Sequence, residues 1–466
     1  MRLRHLLLIA TCVHLTAATG AHLAGRWGVA AGTFGDGGIA SFASDSRVYR
    51  LQIVALEETL KEEGAAAWLR SPAPVHVKLY SLSFSLFSPL FGQSILSAAP
   101  LNLIYYLTTL LLVFALGSEA FGRREGLLAA WMTAALLPSF LLHTTQLLKD
   151  PLFVVLALTL VLVSVKWLTT PYTLAGGLLA GALGGAAAAS LWLVKSSAWW
   201  VVLAIMFLGA ALSIARQAHS RTLHAANLAG VALMLAIGLS ASQFITPYWL
   251  PKEYWMPHRP GATAGQQKEQ TDGRAHADST AGVSTGSTAE VAAKADPQSA
   301  RQTRTLSSRV AERIAQARAQ FIELYPDAGS NLDADVRFGG MSDVILYLPR
   351  AVLVGLCAPF PVMWFDAGGN VGTAGRLLSG GETLLMYFVE LLAFVCLWHR
   401  RRQMTVWLLV LVSLIGATAL GLVVVNVGAL YRQRYLFWIL LIVVGAGTVA
   451  RMLPARFARA TDDRLV

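Results

Sequence analysis

Apolar residues fall in unbroken runs of about 20 residues, the length a helix needs to cross a bilayer. The runs predict ten spanning helices, at about 5–24, 98–117, 126–145, 151–168, 173–194, 197–215, 224–246, 381–398, 404–428 and 434–453. A transmembrane β-barrel would show strands of about 10 residues with alternating polarity, and the long apolar runs do not alternate. The pattern therefore predicts an all-α polytopic membrane protein: a first span in 1–25, a bundle in 98–246, and C-terminal spans with a short tail in 366–466.

Three stretches do not fit a simple span. Residues 343–365 (DVILYLPRAVLVGLCAPFPVMWF) are apolar enough to cross, yet they carry Arg350, Pro349, Pro359 and Pro361. Broken backbone is tolerated at membrane depth only where protein buries it or a cavity adjoins it. This segment is read as re-entrant or as lying at the outer interface. The stretch 26–97 holds an amphipathic run, Arg47 to Glu63, and a more apolar run, Lys78 to Phe91. Both fit helices lying on the membrane surface. The stretch 247–342 includes 261–303, rich in Ala, Gly, Ser, Thr and Gln, which lacks the apolar content to fold and is expected to be disordered. Residues 307–324 predict a helix with Val310, Ile314, Ala317 and Phe321 on one stripe.

Composition narrows the class further. Hydrophobic residues make up 55% and charged residues 14%, whereas soluble domains carry roughly 25% charged residues, so an ordinary soluble enzyme is excluded. The formal net charge is +11. Such an excess fits either nucleic acid or short cytoplasmic loops, and most basic residues sit beside apolar spans, which favours the loops; no nucleic-acid partner is expected. The positive-inside rule puts Arg2, Arg4, Arg123, Arg124, Lys166, Arg216, Arg221, Arg400, Arg401, Arg402, Arg451, Arg456 and Arg459 inside. Both termini are then cytoplasmic and both long stretches lie outside. The first span reads as a retained signal anchor rather than a cleaved signal peptide, because many spans follow it. Cys12, Cys357 and Cys396 lie in apolar segments with no disulfide or zinc spacing.

Charges in or beside a membrane are costly and mark candidate sites. On the outer side they are Asp45, Arg47, Lys78, Lys149, Asp150, Lys195, Arg350, Arg432 and Arg434, with Glu390 isolated inside a span. Asp45 fits either a helix cap or a general base at the bilayer surface. Asp150 precedes Pro151 and fits a helix start; a functional role needs a partner acid, and Asp45 is available on the same face. Arg432 and Arg434 fit snorkelling anchors beside Tyr431 and Tyr435. A basic pair outside, against the positive-inside bias, fits an anionic ligand equally, because guanidinium forks match phosphate oxygens. No Walker loop, nucleophile elbow, dinucleotide fingerprint or HExxH pattern occurs. An activated substrate would have to arrive by another route, and a membrane lipid phosphate is the natural one.

The arrangement resembles the polytopic GT-C glycosyltransferases, in particular the protein mannosyltransferase and aminoarabinose-transferase-like group, glycosyltransferase family 39 and its bacterial relatives. Four segments carry the likeness: Asp45 and Tyr49 after the first span; Trp68…His76-Val77-Lys78-Leu79-Tyr80…Leu90-Phe91-Gly92; Phe121-Gly122-Arg123-Arg124-Glu125-Gly126-Leu127-Leu128-Ala129-Ala130, followed by Leu137-Pro138 and Asp150; and Arg432-Gln433-Arg434-Tyr435. The likeness covers 1–170 and the end of the chain, and it departs at 76–79, where the family's proline pair is missing.

The resemblance implies transfer of a sugar from a polyprenyl-phosphate donor to a glycan, lipid or protein acceptor, on the periplasmic face of a bacterial inner membrane. It implies catalytic acids at Asp45 and Asp150 and substrate contacts at Tyr49, His76, Lys78, Tyr80, Lys149, Arg432 and Arg434. No cofactor is implied with certainty, and a divalent cation stays open. A lipid-linked polysaccharide polymerase or ligase, and a transporter or flippase, remain as alternatives; the transporter reading lacks visible internal repeats.

Overall fold

The computed structural model describes residues 2–29, 32–248, 306–324, 329–365 and 372–453. Among these residues 83% are helical and no β-strand forms, as the all-α reading expected. The expected disordered stretch, 261–303, lies outside the described residues.

The chain begins with α1 (Leu3–Trp27), α2 (Asp45–Glu62), α3 (Ala65–Arg70), α4 (Val75–Phe91), α5 (Ala99–Ala120) and α6 (Arg123–Leu136). It continues with α7 (Pro138–Thr144), α8 (Asp150–Thr169), α9 (Leu174–Lys195), α10 (Trp199–Ser220) and α11 (Ala225–Phe244). After the long loop come α12 (Leu306–Leu324), α13 (Met341–Cys357), α14 (Gly372–His399), α15 (Met404–Val423), α16 (Val427–Gln433) and α17 (Tyr435–Met452). Eight stretches of the described residues are long and apolar enough to cross a membrane, or nine if the bent pair α6–α7 is one span. One of the eight, Leu174–Ser220, contains both α9 and α10, because the backbone leaves helical geometry at Lys195 (φ −153°, ψ 68°). Each of the ten expected segments thus has a helix.

Three boundaries differ from expectation, each for a local reason. The segment 126–145 bends by 77° between α6 and α7, where Pro138 lacks an N–H and disfavours helical backbone at Leu137. The segment 404–428 stops at Val423, because Val425 turns its carbonyl to the Leu332 N–H, 2.9 Å away. The segment 381–398 begins nine residues early, at Gly372. In α12 the inward line runs through buried Ala311 and Arg318 and half-buried Ile314 and Phe321. The expected stripe is thus rotated at its start, with Val310 exposed.

α17 is the central pillar, buried at every position from Tyr435 to Thr448, as a helix apolar on all sides should be. It packs against α14, α15, α6, α5 and α8. α14 runs parallel to it, with Thr448 Oγ1 donating to the Leu392 carbonyl. The helices alternate direction, so the turns at 121–122, 170–173, 221–224 and 400–403 share one end of the bundle. The other end gathers α2–α4, residues 145–149, Lys195, α13 and α16. The segment 343–365 stays at that second end: Val344 packs beside Leu422, and Trp364 packs against Gly380. α13 approaches α15 so closely that a methyl group at Gly355 would lie 2.0 Å from the Ala417 carbonyl oxygen.

Candidate functional site

α2 and α8 each begin with an aspartate, and a helix N-terminus favours a carboxylate there. The bundle brings these two N-termini together around α16. Arg432 Nη2 donates to Asp45 Oδ2 at 2.5 Å, and Arg432 Nε lies 3.1 Å from Asp150 Oδ2. Lys195, at the end of α9, donates to Asp150 Oδ1 at 3.2 Å. Asp45, Asp150 and Lys195 are 8%, 6% and 7% exposed, so their charges are sustained by pairing rather than by water. The carboxylate of Asp45 is engaged by Arg432 from another helix, so the capping account does not describe it.

Lys149 adds a third basic group beside two acids. Burial and then the charge of Lys195 push its ammonium below the ordinary lysine value, with Asp150 and Asp45 acting the other way. Burial also opposes the charge on Arg432, but Asp45 and Asp150 outweigh it and hold the guanidinium well above its usual value. The cluster thus gathers three basic side chains, Arg432, Lys195 and Lys149, around two acidic ones. Because each acid already faces a cation, the set suits an added anion better than a divalent metal; among the described residues no group of three His, Cys, Asp or Glu side chains could hold a metal ion.

His76 and Tyr49 form the neighbouring wall, with ring centroids 4.5 Å apart in an edge-on contact. Burial and then the charge of Lys149 push His76 down to about 3, so it is neutral at pH 7. Neither of its ring nitrogens has a hydrogen-bond partner among the described residues. Tyr80 lies one turn further along α4. Its hydroxyl sits 2.7 Å from Asn102 Oδ1 and 2.9 Å from the Leu148 carbonyl, so it fixes the loop that presents Lys149 and Asp150. Gln146 supports the same loop, accepting from the Ala40 N–H at 2.9 Å.

Two expected residues are not brought to this cluster. Lys78 turns to the other face of α4, where it donates to the Leu69 carbonyl and lies over the Trp68 ring. Arg434 is fully buried in a separate polar layer, donating to the Leu356 carbonyl at 3.1 Å and stacking 3.7 Å over Trp438. In that layer Glu382 accepts from the Ser139 N–H and hydroxyl and from the Tyr431 hydroxyl. Glu382 thus caps α7 where Pro138 breaks the span, satisfying a helix N-terminus from a different helix. Glu390, deeper in α14, keeps one buried carboxylate oxygen without a hydrogen-bond partner among the described residues.

Sequence reasoning counted Lys195 among the outer-side candidate charges without assigning it a contact, and it did not single out Gln146. Lys195 carries the same signal that singled out Arg432, a cation on the outer side of the spans. Gln146 carries no local signal at all. A recess of about 950 Å³ opens between α1, α2 and α4, lined by His22, Arg26, Asp36, Arg50, Leu90 and Phe91 among others, and contains none of the cluster residues. In the cluster itself Asp45, Asp150 and Lys195 are buried, and Arg432 and Lys149 are half-buried. Compared with known protein families, curated proteins and solved structures, the chain matches none.

Proposed function

We propose that this chain is a membrane glycosyltransferase that moves a sugar from a polyprenyl-phosphate donor to an acceptor on the outer face. The observation that carries this reading is the single guanidinium of Arg432 held between Asp45 and Asp150, with Lys149 and Lys195 alongside. The surplus of basic side chains fits a monophosphate. The loop basic residues supply the orientation: Arg123, Arg124, Arg221 and Arg400 to Arg402 lie at the opposite end of the bundle, which is then cytoplasmic. The sugar-bearing headgroup meets the cluster from outside while the isoprenoid tail stays in lipid.

In this reading the acceptor hydroxyl gives its proton to Asp45 as its oxygen attacks the anomeric carbon. The bond from that carbon to the phosphate oxygen breaks, and polyprenyl phosphate leaves. Arg432, Lys195 and Lys149 stabilise the charge that develops on the leaving phosphate. Asp150 positions Arg432 and Lys195. Tyr49 and neutral His76 form the wall beside the base. Arg434 and Lys78 take no part in phosphate binding.

The test is binding of a polyprenyl monophosphate to the protein in nanodiscs. Wild type should bind it, and Arg432→Ala should weaken binding by about tenfold to a hundredfold, the worth of one or two charge-assisted contacts. No binding by wild type removes the reading. The transporter alternative predicts substrate counterflow in liposomes that contain no acceptor.

A further inference from the structure

Arg432 sits on α16, a helix of seven residues between two spans. A helix this short has little stability of its own, so the aim of the guanidinium must be set by what holds α16. Residues 330–332 do this from outside the bundle. Asn331 and Asn426 form an antiparallel bridge. The Leu332 N–H donates to the Val425 carbonyl at 2.9 Å, and the Val427 N–H donates to the Ser330 carbonyl at 3.1 Å.

Asn426 works in two directions at once. Its side-chain oxygen caps α16, accepting from the Ala429 N–H at 3.0 Å. Its side-chain amide donates outward, to Ser330 Oγ at 3.2 Å and to Asn331 Oδ1 at 3.3 Å. The strap is itself anchored. Asp333 is gripped by Arg350, Nε at 3.0 Å and Nη2 at 3.2 Å, and by the Tyr347 hydroxyl at 2.7 Å. Buried Arg318 donates to the carbonyls of Asp333, Val336 and Leu422. Beneath the strap, Leu332 packs with Val354, Val424, Val427 and Leu430. Elements that follow the long loop, α12 and α13, thus converge on the helix that carries Arg432.

We infer that residues 330–333 form a splint that positions Arg432 for the donor phosphate, with Asn426 and Ser330 as positioning residues. This rests on the reading of Arg432 as a phosphate contact. Asn426 lies six residues from Arg432, so it acts through α16 and not by touching the ligand.

The experiment is a double-mutant cycle on the dissociation constant for a polyprenyl monophosphate, using full-length protein in nanodiscs. Asn426→Ser keeps the cap, since Ser caps about as well as Asn, but lacks the amide that donates to Ser330 and Asn331 and adds no charge. It should weaken binding by about fivefold in wild type and leave binding by Arg432→Ala unchanged, because coupled residues are not additive. Ser330→Ala should act in the same direction, and Ser330→Thr, which keeps the hydroxyl, should restore wild-type binding. Wild-type binding in both Asn426→Ser and Ser330→Ala overturns the splint. So does an equal loss in the Arg432→Ala background, which would mark a structural effect independent of the guanidinium. If Arg432→Ala alone binds as wild type, the phosphate reading of Arg432 fails, and that outcome is distinct from the other two. Should Asn426→Ser not fold, the Ser330 pair carries the cycle.

Discussion

Asp45 and Arg432 stand 387 residues apart in the chain and 2.5 Å apart in the structure. The acid proposed as the base is therefore occupied by the cation proposed to hold the donor. A donor phosphate that takes a share of Arg432 would loosen this pair and free the carboxylate to accept a proton. In the proposed mechanism, Asp45 then accepts the acceptor's proton only once the donor has drawn Arg432 away.

The first prediction follows from that pairing. Asp45→Asn should abolish transfer while the protein stays folded. It should also bind polyprenyl monophosphate more tightly than wild type, by about threefold to tenfold, because a competitor for Arg432 worth roughly a charge-assisted hydrogen bond is gone. The check is a binding isotherm beside a turnover assay on one preparation. Full activity would remove Asp45 from the chemistry.

Arg432→Lys should not be neutral. A compact ammonium cannot contact both carboxylates as the guanidinium fork does. Arg432→Ala goes further and leaves Asp45 buried with no cation from α16. Removing one partner of a buried pair costs about 3–5 kcal/mol. Thermal unfolding should show a large drop for Ala and a smaller one for Lys. Equal melting temperatures in all three proteins would show that the pair is not formed.

Lys149 carries a stability cost that its proposed role explains. It is half-buried beside Lys195 and Arg432, and sites of function are often held at such expense. Lys149→Met should raise thermal stability while weakening phosphate binding. The sign of the pH dependence follows from the lowered value. Between that value and the ordinary lysine value of about 10.4, the unfolded chain holds more protons, so stability rises with pH in this window. Phosphate binding should fall over the same window as Lys149 loses its charge, and Lys149→Arg should flatten that fall. A binding curve that is level through alkaline pH in wild type would take Lys149 out of the site.

Orientation is checked by labelling in a cysteine-free background. A cysteine at Glu63 should react with an impermeant thiol reagent in intact cells, and one at Gln403 should not. Labelling at 403 from outside would invert the assignment of the two ends.

The spans were legible because each is a local property: about 20 apolar residues announce a crossing whatever they pack against. The two acids were legible for a related reason, since few charges stand at the outer ends of apolar runs. What the sequence could not reveal was geometry within those runs. Arg432 and Arg434 are two residues apart, and positions i and i+2 do not face the same way. One meets Asp45 and the other turns toward Trp438. The same holds for His76 and Lys78 on α4, whereas Tyr80, four residues from His76, shares its buried face. On α12 the inward line passes through Arg318, which an apolar pattern necessarily skips. Its burial depends on three carbonyls contributed by distant segments.

The most direct measurement is the fate of the lipid carrier during turnover. Purified protein in proteoliposomes, supplied with lipid-linked sugars and acceptor from envelope extracts, should release free polyprenyl monophosphate. Asp45→Asn and Arg432→Ala should release none above background while remaining folded. Release of the diphosphate carrier instead would favour a polymerase or ligase, and movement of intact lipid-linked sugar across the bilayer without release would favour a flippase. Undiminished monophosphate release by folded Asp45→Asn protein would contradict the account directly.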